Sequence, residues 1–146
     1  MNSRYYLCRL FLFMKLFKYH KLTFFWSMVI MSLCGLPGGV VQKLDLWNLL
    51  SFDKIAHAGV YALLGFFALQ GLHRQYPQVG WWPIFFLIAF SYCACWGALS
   101  ELLQEYVFID RFGDWLDFIA DVIGSLLGIL SYPLWIQSIR PKLIKS

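Results

Sequence analysis

The sequence predicts an all-α fold: a four-helix transmembrane bundle preceded by a short basic segment at the membrane interface. Three observations lead there. The chain is 60% hydrophobic and 20% aromatic with only 14% charged residues, against roughly 25% charged in soluble domains. Its mean hydropathy is +0.63. Four apolar runs, at 19–36, 54–72, 82–103 and 115–136, each approach the roughly 20 residues that cross a hydrocarbon core about 30 Å thick. A chain of 146 residues holds about four such spans and no separate soluble domain. The expected organisation is therefore a basic arm over 1–18, one membrane domain over 19–138 and a basic tail over 139–146.

The first run is the shortest. It depends on Lys18 and Lys21 reaching back to the interface at one end and on "LPGG" at 36–39 stopping it at the other. A cleaved lipoprotein leader ending at Cys34 is the alternative. The preceding basic region is too long and aromatic for that, and Leu33 stands where a small residue should precede the cysteine. An uncleaved helix is the expectation, with "RYYLCRLFLFMKLFK" at 4–18 lying on an anionic leaflet.

Between runs one and two, "VVQKLDLWNLLSF" at 40–52 has apolar spacing suited to a short helix on the outer surface. The second run opens with Asp53, Lys54, His57 and Tyr61; the third ends with Glu101 and Gln104; Arg111, Asp114, Asp117 and Asp121 lead into the fourth. Cys8, Cys34, Cys93 and Cys95 fall in different segments or inside an apolar run, which fits packing residues and not a disulfide framework. A C-x-C pair on a helix also points its thiols about 200° apart, against joint metal ligation.

Lysines and arginines fix the expected orientation. Arg4, Arg9, Lys15, Lys18 and Lys21 precede the first run, Arg74 lies between the second and third, and Arg140, Lys142 and Lys145 follow the fourth. The other side has only Lys43, Lys54 and Arg111. Both termini are thus expected in the cytoplasm, with the loops around 37–53 and 104–114 outside. Trp47, Trp81, Trp82 and Trp115 suit an interfacial aromatic belt.

With this topology, all the unusual polar residues sit at the outer ends of their helices. At 100° per residue, Asp114, Asp117 and Asp121 fall within about 60° of one another, and Gly124 and Gly128 continue the stripe as a G-x-x-x-G that admits a close neighbour. An ionised residue deep in a bilayer costs at least about 2.5 to 3.5 kcal/mol, so the carboxylates need water or partners. The expectation is a shallow outward-open pocket lined by Asp53, Lys54, His57, Tyr61, Glu101, Gln104, Arg111, Asp114 and Asp117. Asp121 should form its floor and Gly124 the tightest helix contact. Single residues also have plainer readings: Asp53 and Asp114 as helix N-caps, Lys54 as a snorkelling lysine, His57 and Tyr61 as a buried hydrogen-bonded pair, Asp117 as favoured by the helix dipole and Asp121 as hydrogen-bonded to a facing helix. Glu101 needs a partner, for which Arg111, His57 and Lys54 are candidates.

"DKIAHAGVY" at 53–61, followed by "ALSELLQEYVFIDRFGDWLDFIADVIGSLLG" at 98–128, resembles the VanZ-like membrane proteins. Their pattern is D-K-x-x-H-x-x-x-Y, then E-x-x-Q, an arginine, and D-x-x-D-x-x-x-N-x-x-G-x-x-x-G. The resemblance covers roughly 45–132 and rests on the combined spacing. Asp121 stands where the family usually has asparagine, and Ala58-Gly59 after His57 is a smaller departure. The resemblance implies a bacterial cytoplasmic (inner) membrane protein of the cell envelope, in a family named for a member linked to low-level teicoplanin resistance, with no settled biochemical activity.

Two functions follow from the residues taken together with what the resemblance implies. The first is an envelope protein whose outer pocket binds a lipid-linked envelope precursor, a glycopeptide-related ligand or a partner protein. The second is a metal-assisted enzyme acting on phosphate-bearing lipid-linked cell-wall or polysaccharide intermediates, with a carboxylate as general base. The carboxylates and His57 could hold a divalent cation; the cofactor is otherwise unknown. Lys54 and Arg111 could hold an anionic head group. Expected partners are membrane lipids, such a precursor or an envelope protein, and further copies of the chain, with no nucleic acid. A transporter role would need those further copies, since four spans offer little pathway.

Overall fold

The computed structural model describes residues 3–36, 50–78, 82–109 and 111–138, with side chains over 14–36, 54–78, 82–109 and 111–138. Four helices account for most of them: α1 Ser3–Cys34, α2 Leu50–Gln75, α3 Trp82–Tyr106 and α4 Trp115–Ser138. No strand occurs among the described residues. The surface helix expected over 40–52 falls outside them apart from the start of α2, as does the tail over 139–146.

Three segments, Lys54–Gln75, Trp82–Tyr106 and Trp115–Ser138, are long and apolar enough to cross a bilayer, which makes this a multi-pass membrane protein. α1 is not among them, because Lys15, Lys18 and Lys21 interrupt its apolar sequence. No break separates the expected arm from the first apolar run; both belong to one 32-residue helix. The buried face of that helix is polar over its middle turns and apolar at its end, where Ile30 and Cys34 continue it. His20, Thr23 and Ser27 are buried while Phe25 and Met28 are exposed, the reverse of a helix on a water-soluble core. The Trp26 indole donates to the Val60 carbonyl at 2.8 Å, and the Ser27 and Tyr92 hydroxyls bond at 2.8 Å, so α1 is fastened to both α2 and α3. It ends where Gly35 N–H reaches the Met31 carbonyl at 3.0 Å, two residues before Pro37.

The most extensive packing in the bundle is between α2 and α4. A β-carbon on Gly124 would fall on the carbonyl of Ala58, and one on Gly128 would fall still closer to that of Ala62. The tightest approach is therefore at Gly128, one turn deeper than the expected Gly124, because the helices continue to converge past Ala58. Gly65 extends the contact from the other side: a β-carbon there would stand 2.5 Å from the Ser125 carbonyl oxygen. Close backbone contact of this kind is how helices associate where lipid supplies no hydrophobic drive. Tyr61, Leu64, Leu69, Phe85, Cys93, Ile129 and Tyr132 fill the core beside it.

Candidate functional site: a polar cluster at one end of the bundle

The short connection from α3 to α4 brings Glu101 against the start of α4, and the α2–α4 contact brings Lys54 and His57 to Asp114, Asp117 and Asp121. Asp114 is the N-cap of α4. Its Oδ1 accepts the Leu116 N–H at 2.8 Å and its carbonyl accepts Asp117 N–H at 2.9 Å, which satisfies donors that a helix start leaves open. The Leu116 amide, and after it the Lys54 ammonium, hold the Asp114 carboxyl below its ordinary range.

Lys54 does not snorkel away from the bundle. Its Nζ lies 3.0 Å from Asp114 Oδ2 and 2.7 Å from Asp117 Oδ1, so one ammonium serves two carboxylates from the first turn of α4. One turn deeper on α2, His57 Nδ1 meets Asp121 Oδ1 at 3.0 Å. Asp121 is 1% exposed. It fits because α3 has a glycine opposite: a β-carbon on Gly97 would stand 3.3 Å from Asp121 Oδ2. Tyr61 pairs not with His57 but with Ser100, hydroxyl to hydroxyl at 2.9 Å, and Ser100 in turn donates to the Gly97 carbonyl at 2.8 Å.

Glu101 finds a partner that sequence reasoning did not offer, the backbone N–H of Asp114, which its Oε2 accepts at 2.8 Å. Its Oε1 is buried and has no hydrogen-bond partner among the described residues. Gln104 is buried one turn further along α3. Arg111 is turned elsewhere: its Nε donates to the Leu36 carbonyl at 3.0 Å, tying the α3–α4 connection to the end of α1. The side chain of Asp53 lies outside the described residues.

Two contributors were missed in the sequence. Glu105 Oε2 accepts the Gly113 N–H at 3.0 Å, so Glu101 and Glu105 together hold the backbone that leads into α4. Two glutamates four residues apart, followed by Gly113-Asp114, were the available signal. Ser100, the Tyr61 partner, carried none, since a serine in an apolar run is ordinary.

The cluster thus joins Lys54, His57, Glu101, Asp114, Asp117 and Asp121 from three spanning helices. Lys54 balances only part of the carboxylate charge. Such a set can accept hydrogen bonds from hydroxyls or ammonium groups, and it can hold a cation. No family model, no curated protein and no solved structure matches the chain.

Proposed function

We propose that this chain is a VanZ-like protein of the bacterial cytoplasmic membrane, with both termini in the cytoplasm, whose outward-facing cluster binds the polar head of a lipid-linked envelope precursor. The observation that carries this reading is the gathering of carboxylates from α3 and α4 with Lys54 and His57 of α2 at one end of spanning helices. Charge inside a bilayer is retained where it serves a ligand or a partner, and a site at the outer membrane surface meets lipid-linked sugars at the depth of their head groups. The acidic surplus, with Lys54 already held by Asp114 and Asp117, favours the hydroxyl- and ammonium-bearing part of such a head over a bare phosphate.

Binding of a polyisoprenyl-diphosphate-linked sugar peptide to the protein in lipid nanodiscs tests the reading. Saturable binding is expected, weakened at least tenfold in Glu101→Gln. Binding equal to that of empty nanodiscs, or unchanged in Glu101→Gln, would refute it.

A further inference from the structure

We infer that His57, Glu101 and Asp121 form a site for one divalent transition-metal ion, Zn2+ foremost. One donor atom from each of the three lies within 4.8 Å of the other two, and three different helices supply them. Donors about 2.1 Å from a shared ion stand about 3.0 Å apart at right angles and about 3.4 Å apart in a tetrahedron. The His57 Nδ1 to Asp121 Oδ1 separation is 3.0 Å. In a bound site the remaining gap would be closed by the Glu101 side chain, the third donor of the set.

The unsatisfied oxygen of Glu101 points the same way. A buried carboxylate oxygen without a donor is costly, and Glu101 Oε1 has no hydrogen-bond partner among the described residues. The nearest ammonium, Lys54, is occupied by Asp114 and Asp117. Two carboxylates beside an imidazole carry the charge that a divalent ion neutralises. The donor types select the ion: Ca2+ and Mg2+ take oxygen ligands, whereas an imidazole with two carboxylates suits Zn2+ and its neighbours. Three protein donors leave a fourth tetrahedral position open, which gives the cluster an affinity for a phosphate oxygen that its own charges oppose. This goes beyond head-group recognition and does not depend on it, because the ion alone is the probe.

The test is titration of Zn2+ into the EDTA-stripped full-length protein in detergent micelles, followed by calorimetry and by metal analysis after gel filtration. One Zn2+ per chain is expected. His57→Gln and Glu101→Gln should each weaken binding beyond the roughly 10–100-fold that loss of an outer partner of a metal site costs, with helicity by circular dichroism unchanged. If His57→Gln fails to fold, Glu101→Gln carries the comparison, since an amide keeps the acceptor for Asp114 N–H. His20→Gln and His73→Gln, at the other end of the bundle, should bind as the parent does. The inference is overturned if the folded parent takes up no stoichiometric Zn2+, if binding survives in Glu101→Gln, or if only the His20 or His73 variants lose it.

Discussion

Replacing Gly128 by alanine places one methyl group where the Ala62 carbonyl already lies. The obstacle is backbone on the facing helix, so no rotamer change can relieve it. Restoring ordinary contact near about 3.5 Å requires α2 and α4 to separate by as much as roughly 2 Å, and that separation loosens the contacts at Gly124 and Gly65 as well. Overpacking of this kind costs about 1–3 kcal/mol, with the upper end expected here because backbone meets backbone. A cost of about 2.8 kcal/mol is a hundredfold in the folded fraction. Gly59→Ala is the matched control: it lies in the same helix pair, yet a β-carbon there meets nothing within 4 Å, and it should gain up to about 1 kcal/mol of helix propensity. Reversible unfolding in mixed micelles, followed by circular dichroism, compares the two. Equal stability of Gly128→Ala and Gly59→Ala would refute the close α2–α4 approach.

Lys54→Gln should lower stability by about 1 kcal/mol or less, since the Lys54 side chain is 31% exposed and its charge partly screened; the loss should shrink in high salt and be partly recovered in the double variant with Asp117→Asn. A stability loss that ignores salt would argue against the ion pairs. Asp114, with its pKa lowered from 3.8, contributes stability that is present above that value and lost as pH falls through the folded-state pKa. Asp114→Asn should therefore flatten the acid end of the stability profile below about pH 4, and an unaltered profile would remove Asp114 from the account. For topology, single cysteines placed in a cysteine-free background as Asp45→Cys and Phe108→Cys should label from outside intact cells, whereas Tyr76→Cys and Ile144→Cys should not. Labelling of position 76 from outside would invert the orientation.

Helix number and type were legible because apolar runs of bilayer length leave few alternatives, and the grouping of Lys54, His57, Glu101, Asp114, Asp117 and Asp121 at one end of the bundle followed from their places at the ends of those runs. Angular arithmetic placed Asp117 and Asp121 on the face that meets α2. It could not tell which residue of a pair would win a given partner. Lys54 chose the two aspartates of the first turn of α4, leaving His57 for Asp121, because side-chain reach and helix offset decide this and neither is written in a periodicity. Arg111 was assigned to the cluster by its charge and its place ahead of α4, whereas its Nε donates to the Leu36 carbonyl. The α1 boundary was hidden for a different reason: the basic residues that mark an interface also tolerate a helix, so the arm and the first run are one element. Gly128 was passed over for Gly124 because a G-x-x-x-G motif names two positions and only the crossing point ranks them.

If the cluster at the ends of α2, α3 and α4 serves a ligand beyond its part in bracing the fold, its charges matter more for binding than for the amount of folded protein. Glu101→Gln and Asp117→Asn keep shape and hydrogen-bonding capacity while removing charge, so membrane abundance and head-group binding measured side by side on these variants, with Gly128→Leu as the folding-defective reference, separate the two roles. Near-parental abundance with binding reduced at least tenfold is expected for both charge variants, and low abundance for Gly128→Leu. Charge variants as scarce as Gly128→Leu, whose surviving protein binds like the parent, would contradict it.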